Sequence, residues 1–268
     1  MWKPAAGAVN VTGVALPWDE ACADRVSRSG ARTIDPGAAV TGFCIPLAAT
    51  ISALRNHYGR PPPLPTTDPF ALILFENIAY LAPAERRRVA FDLLKATVGT
   101  TPEAILAAPR AALERVTAHG ILKARFANKL RDCAQMAIDL GGNVKAILRG
   151  PIENARKVLR KFPGIGEPGA DKILLFSGHL ACLAPESNGL RVLARLGYIV
   201  EDRSYARTYR AGNAVAAQQL PEKIAGLREA HLLLHRHGAE LCKRSAPLCP
   251  RCPLSADCAF ANGRGLKP

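Results

Sequence analysis

The sequence predicts an all-α protein. From residue 69 onward, apolar residues recur at helical spacing in segment after segment. Gly and Pro breaks separate these segments, and no stretch alternates apolar and polar residues as a half-buried strand would.

Residues 1–46 differ from the rest. They are rich in Ala, Gly, Val and Pro without a sustained helical period, and are expected to form a poorly ordered extension. A helix is predicted from near Pro46 to Tyr58, and the run from Gly59 to Thr67, with its four prolines, breaks it. Asp68 is placed to cap the next helix, with Pro69 at its first position. That helix is predicted over Pro69–Ala82, followed by Ala84–Thr97, Pro102–Ala107, Arg110–Ala118 and Ala124–Leu140. Further on come Ile152–Lys161, Pro168–Phe176, Gly189–Leu196, Pro221–His237 and a short piece near the C-terminal cysteines. No internal repeat is present.

Composition narrows the function. The 268 residues are 49% hydrophobic and 22% charged, enough for a sizeable core. No stretch reaches the roughly 18 uninterrupted apolar residues of a membrane span, and the N-terminus lacks the apolar region of a secretory leader, so a cytoplasmic protein is expected. Thirty-six basic against 22 acidic residues leave a net charge of +14, which points to a polyanionic partner, either nucleic acid or a membrane surface.

Four of the eight cysteines, Cys242, Cys249, Cys252 and Cys258, fall in one short loop with the spacing C-x6-C-x2-C-x5-C. Four thiolates on a compact Pro-containing loop can close around one zinc or an iron–sulfur cube, and the spacing alone does not choose. The remaining cysteines are isolated and read as ordinary small residues. His231 and His235 lie four apart on one helical face, but no glutamate follows His231 to complete an HExxH pattern. Packing of this helix, with His237, on the cysteine loop is the simpler reading.

Arg156, Lys157, Arg160 and Lys161 precede the turn Pro163-Gly164-Ile165-Gly166, and a new helix starts near Pro168. Gly164 and Gly166 can adopt backbone angles closed to other residues, Ile165 can anchor the turn in the core, and their N–H groups with the helix N-terminus converge on one point. Such a hairpin binds a phosphate without reading a base. A plain helix–helix connection is the alternative, and the basic helix with the +14 charge weighs against it.

This hairpin, followed about 75 residues later by the four-cysteine loop, resembles the endonuclease III superfamily of helix–hairpin–helix DNA glycosylases. The resemblance covers roughly residues 47–260 and includes Gly120-Ile-Leu-Lys-Ala-Arg125 and His237-Gly238. It implies a [4Fe-4S] cluster on the four cysteines, double-stranded DNA carrying a damaged or mismatched base as partner, and a monomer, nucleoid-associated in a bacterium. It also implies two helical domains: a six-helix barrel over 63–182 with its hairpin at 162–169, and a cluster domain from 47–62 and 183–268. Lys161, Lys172, Lys243 and Arg244 would join Gly164, Ile165 and Gly166 in contacting DNA.

The resemblance also supplies candidate catalytic residues. In this superfamily an aspartate downstream of the hairpin helix stabilises the cationic sugar; the matching position holds Glu186, one methylene longer and just before a helix start that favours its ionised form. The simpler reading of Glu186 is a helix cap. Bifunctional members carry a nucleophilic lysine two residues after the last hairpin glycine, where this chain has Pro168. A monofunctional enzyme is therefore expected, with Lys172 as a conceivable substitute nucleophile and otherwise a solvated or phosphate-contacting lysine.

Glu76 lies seven residues after Pro69 in a helix that is apolar nearly all round, a spacing similar to that of the catalytic glutamate of MutY-type adenine glycosylases. A buried carboxyl must find a partner or become neutral, and a raised pKa would suit a general acid. Asn188, two residues after Glu186, also resembles that branch and would orient Glu186 or the sugar. Only ten residues follow Cys258, so the further C-terminal domain of MutY-type enzymes is not expected, and mismatch thymine glycosylases are equally good templates. Tyr80 and Leu81 stand where relatives present polar DNA-inserting residues. A DNA-binding relative that has lost catalysis is the alternative of a different class; Pro168 and the Glu-for-Asp exchange speak for it.

Overall fold

The computed structural model describes residues 45–263. The extension expected over residues 1–46 thus lies almost wholly outside the described residues, as do Cys22 and Cys44. Twelve α-helices and no strand occur among the described residues, so the all-α prediction holds. None of these helices is long and apolar enough to cross a membrane.

The helices are α1 (Leu47–Tyr58), α2 (Pro69–Asn77), α3 (Ala84–Thr97), α4 (Pro102–Ala107), α5 (Arg110–Thr117) and α6 (Lys123–Asp139). They continue with α7 (Val144–Ile147), α8 (Ile152–Leu159), α9 (Glu167–Ser177), α10 (Ser187–Leu196), α11 (Tyr205–Gln219) and α12 (Ile224–Glu240). Two 3-10 turns, Cys249–Arg251 and Ser255–Asp257, make up the short piece near the cysteines.

Local chemistry sets the boundaries. Asp68 accepts the Ala71 N–H at 2.9 Å with Pro69 at the first position, as the sequence predicts. Thr101 caps α4 in the same way.

Three predictions need correction. Helix α2 stops at Asn77 rather than Ala82, because the chain turns away to pair with the loop after α5: the Ile121 N–H donates to the Tyr80 carbonyl at 3.1 Å. Helix α12 starts at Ile224 and runs on to Glu240. Helices α7 and α11 were not predicted at all. Asn143 starts α7 by accepting the Ala146 N–H. Helix α11 buries Thr208, Tyr209, Gly212 and Ala216, a stripe of mostly small residues that carries little hydrophobic signal.

Buried side chains form two clusters. One gathers residues from Phe70 to Ala184 together with Leu227 of α12, with Phe91, Leu94, Ile105 and Leu113 fully enclosed. The other joins Leu47, Ile51 and Leu54 of α1 to Leu183, Val192, Tyr209, Leu233 and Cys258. The termini of the described chain therefore meet in one core, with α12 packed on both α1 and α10. Gly238 permits the close approach of α12 to α10: a Cβ there would lie 2.6 Å from the Asn188 carbonyl oxygen.

Asp171 ties the two clusters together. It is buried, and its Oδ1 accepts from Arg156 Nε at 2.6 Å while Oδ2 accepts from Tyr209 at 2.9 Å. A buried carboxylate with hydrogen bonds to both oxygens meets the requirement for burying charge. Arg156, counted in the sequence among the cations before the hairpin, is thereby committed to Asp171 and Glu153.

Candidate active site

Glu186 stands at the N-cap of α10, at the junction of the two clusters. Its Oε1 accepts the N–H groups of Asn188 and Gly189, both at 3.0 Å, and lies 3.1 Å from Nδ1 of His235 on α12. Oε2 takes part in none of these contacts. Burial raises the pKa of Glu186, but the His235 hydrogen bond and charge and the Asn188 N–H outweigh it, and the pKa falls to about 2. The capping reading of Glu186 is therefore correct as far as it goes. A capping carboxylate with one oxygen uncommitted is also an ionised group available to a ligand.

Asn188 serves Glu186 through its backbone N–H. Its side-chain Oδ1 accepts from Arg191 Nη2 at 2.7 Å, and Arg191 in turn donates to the carbonyls of Gly238 and Cys242. This chain of bonds links the start of α10 to the cysteine loop.

Glu76, in the last turn of α2, meets Lys172 of α9 with 2.8 Å between Oε1 and Nζ. Apart from that ammonium, Oε1 has no hydrogen-bond partner. Both side chains are largely enclosed, 13% exposed for Lys172 and 19% for Glu76. Burial pushes the Glu76 pKa up, yet Lys172 and Arg87 more than offset it, and the net shift is downward. Of the two outcomes that the sequence allows for a buried carboxyl, a partner or a raised pKa, the structure shows the partner. Lys172 is correspondingly not a solvated lysine, and an ion-paired ammonium has no free lone pair with which to attack.

Between these carboxylates stands His231. It is buried, packs edge-on against Phe176 at 5.3 Å, and contacts the Leu183 carbonyl through Nδ1 at 3.2 Å. A carbonyl can only accept, so Nδ1 carries the proton. Burial first, and then Lys172, lowers the His231 pKa to about 4, so the ring is neutral at pH 7. His231 and His235 thus serve the carboxylate site, and only His237 packs on the cysteine loop. That correction assigns two of the three histidines a place the sequence did not suggest. The sole available signal was the four-residue spacing that put His231 and His235 on one face.

The hairpin lies beside Glu76. Gly164 has φ +80°, and a Cβ there would sit 2.5 Å from Oδ1 of Asn77 and 3.2 Å from Nζ of Lys129. Ile165 is buried, while Gly164 and Gly166 are exposed. Gly166 begins α9, and its carbonyl accepts the Ala170 N–H at 2.9 Å. The Lys129 ammonium lies 4.3 Å over the Phe126 ring, and Tyr80 stacks on Phe126 at 4.8 Å. The neighbouring surface is apolar, with Leu81, Ile121 and Leu122 more than half exposed and Leu81 and Leu122 at positive φ. Lys161, Lys243 and Arg244 are exposed. The carbonyls of Lys243 and Arg244 accept from Arg195, which fixes the cysteine loop while leaving both basic side chains outward.

Cys242, Cys249, Cys252 and Cys258 all line one cavity, together with His237 and Arg195. Nitrogen donors approach the sulfurs: Arg195 Nη1 is 3.5 Å from Cys242 Sγ, and the Leu254 N–H is 3.4 Å from Cys252 Sγ. Such donors suit thiolate ligands. Among the described residues no group of three or more His, Cys, Asp or Glu side chains is arranged to hold a single metal ion. The four thiols nonetheless line the same cavity, and their chemistry suits a thiolate-ligated group.

No protein-family model matches the sequence. The chain is 27% identical over 199 residues to an endonuclease III of Sulfolobus acidocaldarius, a match that spans 73% of this chain and 83% of the relative. Among solved structures, a non-covalent endonuclease III–DNA complex superposes with a TM-score of 0.65 at 21% identity, covering 81% of this chain and 96% of that one. A thermostable thymine-DNA glycosylase superposes with a TM-score of 0.64 at 19% identity, covering 81% and 97%. The chain has the helical fold of the endonuclease III-like DNA glycosylases, and its sequence is similar to an endonuclease III along most of its length.

Proposed function

We propose that this protein is a DNA base-excision glycosylase of the endonuclease III or thymine-DNA glycosylase type, and that it is monofunctional. The observation that carries the reading is the placing of two carboxylates near buried His231: Glu186 on the N-terminus of α10 and against His235, and Glu76 against Lys172. A nucleotide flipped from the duplex into this junction develops positive charge on its sugar as the N-glycosidic bond breaks. Glu186 stabilises that charge through Oε2, while Oε1 stays on the helix N-terminus. Its low pKa keeps it ionised at any physiological pH, as the role requires.

Glu76 is ionised in the resting protein, so it orients the attacking water rather than delivering a stored proton. Asn188 holds Glu186 by its N–H and braces α10 through Arg191. The lyase branch of the chemistry needs a free amine; Pro168 has none, and Lys172 is paired with Glu76. Gly164, Ile165 and Gly166 seat a phosphate, with Lys161, Lys129, Lys243 and Arg244 adding electrostatic attraction. The apolar surface of Leu81, Ile121 and Leu122 fills the gap left in the stack by the flipped base.

The loop cysteines Cys242, Cys249, Cys252 and Cys258 would hold a [4Fe-4S] cluster, which when bound supplies a rigid cross-link for the C-terminal segment. Their common cavity and the N–H donors on sulfur suit thiolate ligands, and the likeness to endonuclease III favours the cluster over zinc.

The test uses purified, iron-loaded protein on end-labelled duplexes. The panel holds uracil, thymine mismatches, adenine opposite guanine or 8-oxoguanine, and alkylated and oxidised bases. Strand scission only after hot alkali is the expected result. Direct scission, trapped as a covalent adduct by borohydride, would overturn the monofunctional reading. Tight duplex binding without base loss on the whole panel would favour the non-catalytic alternative.

A further inference from the structure

The sequence places a glutamate where an aspartate would reach the same point with a shorter arm, and the structure shows what restrains the extra length. Oε1 of Glu186 is held by three groups on one side: the N–H groups of Asn188 and Gly189, and Nδ1 of His235 at 3.1 Å. The two N–H groups belong to the helix that Glu186 itself caps, and they fix only its position at the helix end. His235 comes from α12, a separate element, and approaches from across the junction.

We propose that His235 is a positioning residue for Glu186, which fixes the longer carboxylate arm so that Oε2 is presented to the reacting sugar. The inference rests on the proposed glycosylase reading and deepens it. His235 touches neither substrate nor reacting atoms; it acts through Glu186.

The surroundings support this assignment. The side chains of His235 and Glu186 are 30% and 28% exposed, enclosed enough for the contact to persist and open enough for a ligand to reach Oε2. His231, the other histidine on this face of α12, is bound to the Leu183 carbonyl through Nδ1, so it cannot take over the same hydrogen bond. The other titratable or charged groups facing Glu186 are Tyr205 of α11 and Arg191 of α10, and Lys172 of α9 lies behind His231. Arg191 is committed to Asn188 and two carbonyls. Tyr205 bears a neutral phenol that burial makes still harder to ionise. His235 is thus the group within hydrogen-bond distance of Glu186 that comes from outside α10 and can hold its carboxylate.

The test compares His235→Ala and His235→Asn in the iron-loaded, full-length protein. It measures duplex affinity, the single-turnover rate of base release and the pH profile of that rate. Alanine removes the donor; asparagine can return an N–H near the position of Nδ1. The expected result for His235→Ala is a loss of about tenfold to a hundredfold in single-turnover rate, the scale of a misplaced reacting group. Duplex affinity should stay within about twofold, the acid limb of the profile should move to higher pH, and His235→Asn should recover much of the rate. Shortening the arm in Glu186→Asp should make the rate insensitive to His235→Ala, a coupling that a purely structural histidine would not show. Unchanged rate and profile in His235→Ala, with wild-type protein active, would overturn the positioning role alone. A wild-type protein that releases no base would overturn the glycosylase reading beneath it, and an active wild type matched in rate by Glu186→Gln would overturn the role of Glu186 in that reaction.

Discussion

Replacing Gly164 by alanine strikes the hairpin at its most constrained point, and the structure gives the size of the effect. Two penalties add. A Cβ at φ +80° places an L-residue in the left-handed region, which costs about 1 kcal/mol. That Cβ would also lie 2.5 Å from Oδ1 of Asn77, which must move. Asn77 is buried, and its Nδ2 donates to the Ile73 carbonyl at 3.1 Å. Displacing it forfeits a buried hydrogen bond worth about 1 kcal/mol and disturbs the residue next to Glu76. The total is about 2–3 kcal/mol, or about 5–10 °C in melting temperature for a folded region of this size.

Gly141 supplies the control. It has φ +92°, but nothing lies within 4 Å of an added Cβ, so Gly141→Ala should carry only the backbone penalty. Thermal denaturation of the two variants, followed by circular dichroism, separates the terms. Gly164→Ala should melt several degrees below Gly141→Ala and should also bind duplex more weakly. Equal melting temperatures would refute the packing argument, and unchanged DNA affinity would refute the phosphate-binding role of the hairpin.

Other consequences follow from the same geometry. Lys172→Met strands the Glu76 carboxylate in an enclosed site and should cost about 3–5 kcal/mol, read from the denaturation midpoint, with most of the loss regained in a Glu76→Gln, Lys172→Met double variant. A loss below about 1 kcal/mol would show that the pair is not enclosed in solution. The pKa of Glu186 is lower in the folded protein than in the unfolded chain, so its contribution, at most about 3 kcal/mol, is complete above the ordinary carboxylate range. It drains away as pH falls toward about 2, and Glu186→Gln should flatten the acid side of the stability curve. Cys252→Ser should lower bound iron well below the four expected per chain and abolish the visible absorbance of the cluster; full iron retention would remove Cys252 from the ligand set.

Much of the fold was legible in the sequence because most helices carry their own signals. Asp68-Pro69 announces a helix start, and α3 and α4 fall on the predicted residues. Helix α11 was invisible because its contacts depend on small residues: Gly212 lies where a Cβ would come 2.8 Å from Leu190. The early end of α2 was equally hidden, since it depends on a bond to Ile121 in a distant loop.

The candidate site divides along the same line. Glu76 and the cysteine loop stand out by local pattern, and Glu186 by the position that the resemblance assigns it. The partners that set their chemistry do not, because Lys172 and His235 reach them only through the tertiary fold. That is why the sequence left open whether Glu76 finds a partner or a proton and read Lys172 as solvated or phosphate-contacting, and the structure shows an ion pair.

The central claim is that Glu186 carries the chemistry, and single-turnover base release by Glu186→Gln tests it most directly. The duplex is the one on which the wild-type protein is active, and its affinity is measured in the same buffer. Glutamine keeps an oxygen for the helix N-terminus but loses the charge. The account predicts a fall in rate of at least about a hundredfold, the scale of a lost electrostatic stabiliser, with duplex affinity retained. A variant that releases the base at close to the wild-type rate would contradict it.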